Sequence, residues 1–254
     1  MADGDRQFVD ALARGLAILE ALSRAPRPLS TSELAKATQL PPSTVCRLTH
    51  TLTALGYTRQ TAPHRTYELT PKNLALGYPV LAGMSLIDRA RPHLKQLAER
   101  TGETAALAIR DGLHITFVEV VAGSGMVSVR LAMGGRLPIA VSAAGIALLA
   151  AAPEHERRTL AARVRSYINQ REGDLAAFNE ALARATDEGI CIVRDLWRPG
   201  IGGVAIAVRT ETESAAVTIP VATGSVTERM MLGPLAEALR DVAQALGRSS
   251  RPGA

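Results

Sequence analysis

The fold of the first third of the chain is decided between residues 30 and 55, which read STSELAKATQLPPSTVCRLTHTLTAL. Ser30 and Glu33 have the spacing of a capping box, in which each side chain bonds the backbone amide of the other residue and so starts a helix. A brief turn leads to two prolines, and proline is favourable at the first helical position because its missing amide would be unpaired there. The stretch therefore predicts a short helix, a tight turn and a second helix from about Pro42 to Leu55.

The second helix has two different faces. Apolar residues recur at helical spacing at Val45, Leu48, Leu52 and Leu55. The opposite face carries hydroxyl and basic groups, at Ser43, Thr44, Arg47, His50 and Thr51. Such groups suit phosphate oxygens and base edges, and few acids lie nearby to repel DNA. A polar helix face is most often simply solvated, so its assignment to DNA depends on what surrounds it.

The flanking segments complete a supersecondary pattern. A first helix is predicted upstream, ending before Pro26, from the spacing of Val9, Leu12, Leu16, Leu19 and Leu22. After Gly56, extended runs over 57–61 and 66–69 predict a hairpin. Helices and a hairpin in this order form a winged helix-turn-helix, whose wing would place Arg59, His64 and Arg65 against the DNA. An ordinary polar turn is the alternative for the hairpin tip.

Composition excludes several classes of protein. The 254 residues are 47% apolar and 21% charged, which is typical of a globular chain with one large or two modest domains. No apolar run reaches the roughly 18–20 residues that span a bilayer, and the acidic start is unlike a signal peptide, so we expect a cytoplasmic protein with no membrane partner. Cys46 and Cys191 lack a CxxC partner, which predicts two buried free thiols.

The net charge of +5 is unevenly distributed along the chain. Residues 1–85 contain nine basic and six acidic residues. Between residues 40 and 75, Glu68 is the sole acid beside four basic residues. This local excess indicates an anion-binding surface in the first third of the chain.

The chain is predicted to fold as two domains. Residues 1–70 form the DNA-binding domain, 71–86 a linker helix with a break at Gly77–Pro79, 87–247 a second domain and 248–254 a disordered tail. Patterning in the second domain predicts strands at 104–109, 115–121, 126–133, 204–208 and 215–219, and helices at 142–152, 174–188 and 232–246. An α+β domain of this kind commonly encloses a small ligand.

Several short motifs occur in an order that resembles the isocitrate lyase regulator (IclR) family of bacterial transcription factors. They are RGLAIL (14–19), ELA (33–35), LPPSTVCRL (40–48), LTALGY (52–57), ARP (90–92), TGET (101–104), GRLP (135–138) and SAAGIALLA (142–150). The resemblance, over about residues 8–246, implies a winged helix-turn-helix, a linker helix and a C-terminal GAF-like effector domain with a central antiparallel sheet. It also implies a regulator that binds palindromic operators as a homodimer or homotetramer. We expect no cofactor or metal, and repression rather than activation.

The resemblance further implies an effector pocket in the second domain. Its positions would fall at Leu131, Met133, Leu137, Ala143, Ala144, Gly145, Val193, Arg194, Gly203, Thr218 and Pro220. Backbone amides at the helix start would hold a carboxylate or carbonyl, and Arg194 would add a positive charge. Core packing for Leu131 and Met133, and a surface position for Arg194, are the alternatives.

Departures from the family pattern refine these expectations. Members that bind small organic acids commonly carry an acidic residue and a cysteine where this chain has Val193 and Gly203, which predicts a less polar pocket and argues against a keto-acid effector. Gln39 stands where the family usually has glycine, so the turn must accept a side chain at a position that often has positive φ. Trp197 lies in a glycine-rich stretch and either covers an aromatic ligand or anchors a loop.

The sequence lacks catalytic motifs. The five histidines show no HExxH spacing, and neither a Gly-x-Ser-x-Gly elbow nor a P-loop occurs. We therefore expect a regulator rather than an enzyme, with operator DNA and a small effector of unidentified chemistry as its partners. The alternatives are a sensor domain with hydrolase activity, and a protein-interaction module that lacks salt-dependent DNA affinity.

Overall fold

The computed structural model describes residues 7–63, 65–125, 129, 131–210 and 212–248. The chain divides into two compact units, and the boundary along the sequence lies between Gly83 and Met84. Each unit has its own core and is described by itself.

The first unit is a helical domain with a two-stranded hairpin. Its elements are α1 (Asp10–Arg24), α2 (Thr31–Thr38), α3 (Pro42–Ala54), β1 (Thr58–Thr61), β2 (Thr66–Leu69), a 3-10 turn (Pro71–Asn73) and α4 (Leu74–Ala82). The strands pair antiparallel, and the core is formed by Ile18, Leu22, Leu34 and Val45, all buried. The predicted helix-turn-helix and hairpin are therefore confirmed.

The capping box of α2 is formed as predicted. The Glu33 amide donates to the Ser30 hydroxyl at 3.3 Å, and the Ser30 amide donates to the Glu33 carboxylate at 2.8 Å. Hydrogen bonds from Arg27 and Ser30 lower the pKa of Glu33 to about 2. Gln39 ends the helix with φ 57°, so the expected left-handed turn with a side chain is also confirmed.

Most of the apolar stripe predicted for the first helix is not buried. Of its members, Leu22 is buried and Leu19 is half-buried, whereas Val9, Leu12 and Leu16 stay exposed. Ile18, which the predicted stripe did not include, is fully buried. The reason is that the small core, built with α2 and α3, meets only the C-terminal half of the helix. Leu55 at the end of α3 is likewise exposed.

Two further predictions in the first unit were wrong. The linker was expected to break at Gly77–Pro79, but α4 runs through Pro79 and ends before Gly83, whose amide bonds the Pro79 carbonyl at 3.2 Å. A proline inside a helix removes one backbone donor without having to end the helix. Cys46 is exposed on α3 rather than buried, whereas Cys191 is buried as expected.

The second unit is a six-stranded antiparallel sheet with helices packed on it. It contains α5 (Ser85–Thr101), β3 (Ala105–Asp111), β4 (His114–Val121), β5 (Arg136–Pro138), a 3-10 turn (Ile139–Val141), α6 (Ala143–Ala150), α7 (Glu154–Asn169), α8 (Leu175–Glu188), β6 (Cys191–Arg194), β7 (Ile201–Arg209), β8 (Ser214–Ala222), α9 (Glu228–Met230), a π-helical turn (Met231–Leu235) and α10 (Ala236–Arg248). The strand order is β5-β4-β3-β8-β7-β6. The predicted α+β class with a central antiparallel sheet is confirmed.

Both faces of the sheet are covered near its centre. Seven consecutive residues of β8, Ala215–Val221, are buried, a pattern that requires packing on each face. Helix α6 and helix α10 both contact β7 and β8. All eight residues of α6 are buried, and a Cβ at Gly145 would lie 2.6 Å from the Ile139 Cα, so this helix packs too closely for any other residue there.

Three elements and one segment differ from the predicted pattern. Helix α7 and the short strands β5 and β6 were not predicted. Part of the strand expected over 126–133 lies outside the described residues. The described part, Val129 and 131–133, does not form a strand. The segment instead leads into a turn in which the Gly135 amide bonds the Ala132 carbonyl at 2.9 Å.

Candidate DNA-binding surface and effector cleft

The outer face of α3 brings five of the predicted DNA contacts together. The four exposed ones are Ser43, Arg47, His50 and Thr51, and the half-buried one is Thr44. The opposite face is closed by Val45 and Thr49, both fully buried, and the Thr49 hydroxyl donates to the Val45 carbonyl at 2.9 Å. The inward threonine thus satisfies its polar group within the helix. On the outer face, the Thr51 hydroxyl likewise donates to the Arg47 carbonyl at 3.0 Å.

The N-terminus of α3 suits an anion. Its cap is Pro41, which offers no side-chain hydrogen bond, and the first turn holds no acid. Unpaired amides at a helix start carry partial positive charge. Together with the hydroxyls of Ser43 and Thr44 they form a set of donors suited to phosphate oxygens.

The hairpin presents two arginines in different electrostatic states. Arg59 and Glu68 are cross-strand partners, and the Arg59 Nε donates to the Glu68 Oε1 at 2.5 Å. Arg65 is exposed with φ 50°, and no ion pair involves it among the described residues. His64 lies outside the described residues. The positive charge of the wing is therefore less compensated at Arg65 than at Arg59.

Polar contacts tie α3 to the wing. The Thr53 and Thr58 hydroxyls lie 2.9 Å apart. The Lys72 Nζ donates to the Leu55 carbonyl at 2.8 Å, at the C-terminal end of α3, where a cation is favourable. The Asn73 side chain donates to the Tyr57 carbonyl at 2.7 Å. The predicted DNA contacts thus lie on a framework held by hydrogen bonds.

The second unit contains an open cleft at the start of α6. Eight of the predicted effector positions line it: Leu131, Leu137, Ala143, Ala144, Val193, Gly203, Thr218 and Pro220. They come from β6, β7, β8, the start of α6 and the segment around β5. The fold therefore gathers positions that are far apart in sequence around one space.

Three predicted effector positions do not line the cleft. Met133 is 55% exposed in a turn. Gly145 is enclosed in α6, and its amide is already bonded to the Ser142 hydroxyl at 3.2 Å. Arg194 donates instead to the Val226 and Thr223 carbonyls, at 3.2 and 3.1 Å, so its charge serves the segment after β8.

Seven lining residues were not predicted as contacts. They are Phe117, Val129, Val141, Ser142, Trp197, Ile201 and Gly202. Ser142 could have been found, because a serine directly before an apolar helix is a typical cap. Trp197 does line the cleft, although its sequence position alone left its role open. The others needed the β4–β5 and β6–β7 strand pairings, which local patterning did not supply.

The cleft is mainly apolar, and its few polar groups can still donate or accept hydrogen bonds. No charged side chain lines it among the described residues. The Ser142 hydroxyl accepts from the Gly145 amide and so retains its own hydrogen for donation. The Thr218 hydroxyl donates to the Val204 carbonyl at 3.0 Å and so retains lone pairs for acceptance. The amides of Ala143 and Ala144, in the first turn of α6, add further donors.

Other kinds of site are not found in the described part of the chain. None of its helices combines the length and apolarity needed to cross a membrane. No group of three or more His, Cys, Asp or Glu side chains is arranged to hold a metal ion in these residues.

Comparison with known proteins agrees with the two-unit architecture. The IclR helix-turn-helix domain matches residues 11–62, and the bacterial transcriptional regulator IclR C-terminal domain matches residues 78–248. A Pca regulon regulatory protein of Pseudomonas putida is 31% identical, over 96% of this chain and 86% of the relative. The DNA-binding transcriptional repressor YiaJ of Escherichia coli K12 is 29% identical, over 95% of this chain and 89% of the relative.

Solved structures show the same fold. An IclR family transcriptional regulator from Brucella abortus superposes with a TM-score of 0.73 at 31% identity, over 98% of this chain and 95% of that one. An IclR homolog from Microbacterium hydrocarbonoxydans, complexed with 4-hydroxybenzoate, superposes with a TM-score of 0.70 at 24% identity. The match covers 95% of this chain and 99% of that one. Two matched domains, a relative of nearly full length and this fold together show that the chain belongs to the IclR family of bacterial transcriptional regulators.

Proposed function

We propose that the protein is a repressor that binds palindromic operator DNA through α3 and the wing, as a homodimer or homotetramer, under the control of a small effector in the cleft. The observation that carries the proposal is the uncapped, acid-free start of α3, with Arg47 and His50 exposed further along the same helix. Repression is favoured over activation because YiaJ, of similar length and architecture, is described as a repressor.

Self-association is supported by two exposed apolar surfaces of the first unit. Phe8 and Val9, just before α1, and Leu12 and Leu16 in its first half are exposed. Helix α4 buries no residue and exposes Leu74, Leu76, Tyr78 and Val80. Exposed apolar groups on this scale are typical of protein interfaces. A two-fold dimer would place two copies of α3 on two half-sites of a palindrome.

The effector is proposed to be a small carboxylate with an apolar body. The Ser142 hydroxyl and the first amides of α6 offer donors to a carboxylate, and the surrounding walls are apolar. Val193 and Gly203 provide no polar group for a keto acid. Effector binding would act by shifting the separation of the two DNA-binding units of a dimer, because a dimer bridges two half-sites only at a matching distance.

We infer a binding site rather than an active site in the cleft. Ser142 and Thr218 are the lining residues with hydroxyls, and no lining residue among those described is a histidine, acid or lysine that would act as a base. A hydroxyl without a neighbouring base is a weak nucleophile. Turnover of esters or lactones by the purified protein, lost on Ser142→Ala, would favour the hydrolase alternative instead.

The DNA-binding proposal is tested by the loss of one side chain. Arg47→Ala should weaken binding to palindromic duplexes selected from a random pool by about 1–3 kcal/mol, the value of one bidentate base contact. Arg24→Ala is the matched control, because Arg24 is also an exposed helix arginine of the first unit but lies on α1. Mobility-shift titrations measure both, and equal affinities of the Arg47 variant and the wild type would overturn the assignment.

A further inference from the structure

We propose that Glu213 is a positioning residue that links the effector cleft to DNA binding, because it fixes the first turn of α5 from the turn between β7 and β8. This inference rests on the proposed function, since it names the route by which the cleft sets the separation of the two DNA-binding units of a dimer. Two kinds of observation carry it: α5 is capped by a distant residue, and the same turn is joined to the cleft.

Helix α5 takes its cap from a residue that is far away in the sequence. It begins at Ser85, next to the boundary between the two units, and its own N-cap residue, Met84, provides no side-chain hydrogen bond. The Glu213 Oε2 accepts instead from the Leu86 amide at 3.1 Å and from the Ser85 hydroxyl at 2.9 Å. A carboxylate is favourable there, because the first amides of a helix carry partial positive charge. The start of α5 therefore depends on where Glu213 lies.

The turn that carries Glu213 is held by its own hydrogen bonds. The Glu213 amide donates to the Thr210 hydroxyl oxygen at 2.9 Å, and the Thr210 amide donates to the Glu213 carbonyl at 2.8 Å. The second carboxylate oxygen of Glu213, Oε1, is buried without a hydrogen-bond partner among the described residues. Burial of an unpaired polar atom costs free energy, which the bonds of Oε2 to α5 must offset. The contact is therefore sensitive to a small displacement of the turn.

The two strands that the turn connects form one link to the cleft. Both contribute to its lining, through Gly202 and Gly203 on β7 and Thr218 and Pro220 on β8. The strands remain paired from these residues to the turn, where Arg209 pairs with Ser214. A shift of either strand at the cleft is thus carried along the ladder to Glu213.

Helix α6 forms a second link. Its first residues, Ala143 and Ala144, line the cleft. At its other end, the Arg209 guanidinium donates to the Ala151 carbonyl at 2.9 Å, and Arg209 directly precedes Thr210 of the turn. All eight residues of α6 are buried, and closely packed interiors transmit strain rather than absorb it. Movement of the helix at the cleft therefore reaches the same turn.

The first test uses half-site spacing and needs no effector. Mobility-shift titrations of the full-length protein compare palindromic duplexes selected from a random pool with versions whose half-sites are one or two base pairs further apart. The wild type should prefer the selected spacing by at least about tenfold, because a dimer bridges half-sites only at a matching distance. This preference should fall below about threefold in Glu213→Ala, a loss of the size expected for one coupling contact. Glu213→Gln retains an acceptor oxygen for Ser85 and Leu86 and should restore it.

Hydrogen exchange measures the contact itself. Amides over 85–88 should exchange at least about fivefold faster in Glu213→Ala than in the wild type, because the first turn of α5 then opens locally. Asp241→Ala is the matched control. Asp241 is also an acid that contacts α5 from another element, but it binds Arg100 near the C-terminal end of the helix, at 3.1 Å. The control should change neither the exchange over 85–88 nor the spacing preference.

A substitution in the cleft tests the link to the turn. A Cβ on Gly203 would lie 3.4 Å from the Ala143 Cβ, so the larger side chain of Gly203→Val presses β7 against the start of α6. It should speed exchange over 85–88 by at least about threefold when Glu213 is present and by less in Glu213→Ala, because residues on one path are not additive. Gly203→Ala is the milder variant if the valine protein does not fold.

The outcomes separate this inference from the function it rests on. The inference alone is overturned if a protein with Arg47-dependent DNA binding shows no spacing preference, keeps its preference in Glu213→Ala, or responds equally to the Gly203 substitution with and without Glu213. Loss of the Arg47 dependence would overturn the DNA-binding proposal instead, and the exchange measurements would still test the link from the cleft to α5. A lower melting temperature of Glu213→Ala with the spacing preference intact would show a purely structural role.

Discussion

At the hairpin, the strand register determines whether an arginine has an acidic partner that compensates its positive charge. Arg59 faces Glu68 across the ladder and is bound to it, whereas Arg65 follows the turn and is unpaired among the described residues. The sequence predicted both arginines as DNA contacts, because spacing alone shows that a hairpin exists but not which side chains become partners. The strength of each contact depends on this pairing.

We therefore expect unequal effects of the two arginines. Arg65→Ala should weaken operator binding at every sequence and reduce the salt slope of log K by about 1, as for the loss of one phosphate contact. Arg59→Ala should have the smaller effect, since Glu68 already compensates its charge. Anisotropy titrations over a salt series measure both slopes. Glu68→Gln is the matched control and should strengthen binding by releasing Arg59; equal slopes for the two alanine variants would contradict this account.

At the scale of elements, the sequence predicted the features that depend on interactions between residues close together in the chain. The capping box at Ser30 and the left-handed Gln39 both follow from short-range hydrogen bonding and backbone preference. Helix α7 and β6 were missed, although the buried residues Leu160, Val164 and Ile168 of α7 recur at helical spacing. The cleft needed the pairing of β6 with β7, a contact between segments that local patterning cannot supply.

The capped start of α2 gives a stability prediction. Ser30→Ala removes the hydroxyl that accepts from the Glu33 amide and should lower the free energy of unfolding of the first unit by about 1 kcal/mol. Denaturant titrations followed by circular dichroism measure the change. Ser23→Ala, at an exposed serine of α1, is the control and should be nearly neutral. An equal loss in both variants would show that the cap contributes nothing particular.

The same cap should make stability depend on pH. The pKa of Glu33 is about 2 in the folded chain, below its value in the unfolded chain, so the folded state favours the ionised form. The stabilisation by Glu33 is thus present above the unfolded pKa and is lost as pH falls through the folded value. Glu33→Gln should be less stable than the wild type at pH 7, and the difference should shrink between about pH 4.5 and pH 2.

At the scale of the whole molecule, the exposed apolar residues of the first unit support the proposed self-association. Leu12 and Leu16 could be predicted as apolar and helical, but sequence periodicity cannot distinguish a face turned to the core from one turned to a second chain. The small core of the unit decides the matter, because it has room for only the second half of α1. We propose that the rest of the stripe contacts another copy of the protein.

A double substitution tests this assembly. Leu12→Glu with Leu16→Glu should shift the protein toward monomers in analytical ultracentrifugation, because charges would replace apolar contact area. Operator affinity should fall by about tenfold or more, since one half-site then supports binding alone. Ser23→Glu, on an exposed position of the same helix, is the control. An unchanged sedimentation coefficient in the double variant would place the interface elsewhere.

The contrast between the two thiols has a practical consequence. Cys46 is exposed on α3 next to Arg47, whereas Cys191 is buried and its pKa is raised by desolvation. The thiolate is the reactive form, so an alkylating reagent should modify Cys46 and spare Cys191. The native chain therefore carries its own labelling position at the proposed DNA surface. Slower alkylation of Cys46 in the presence of operator DNA would show that the DNA covers this surface, without any engineered residue.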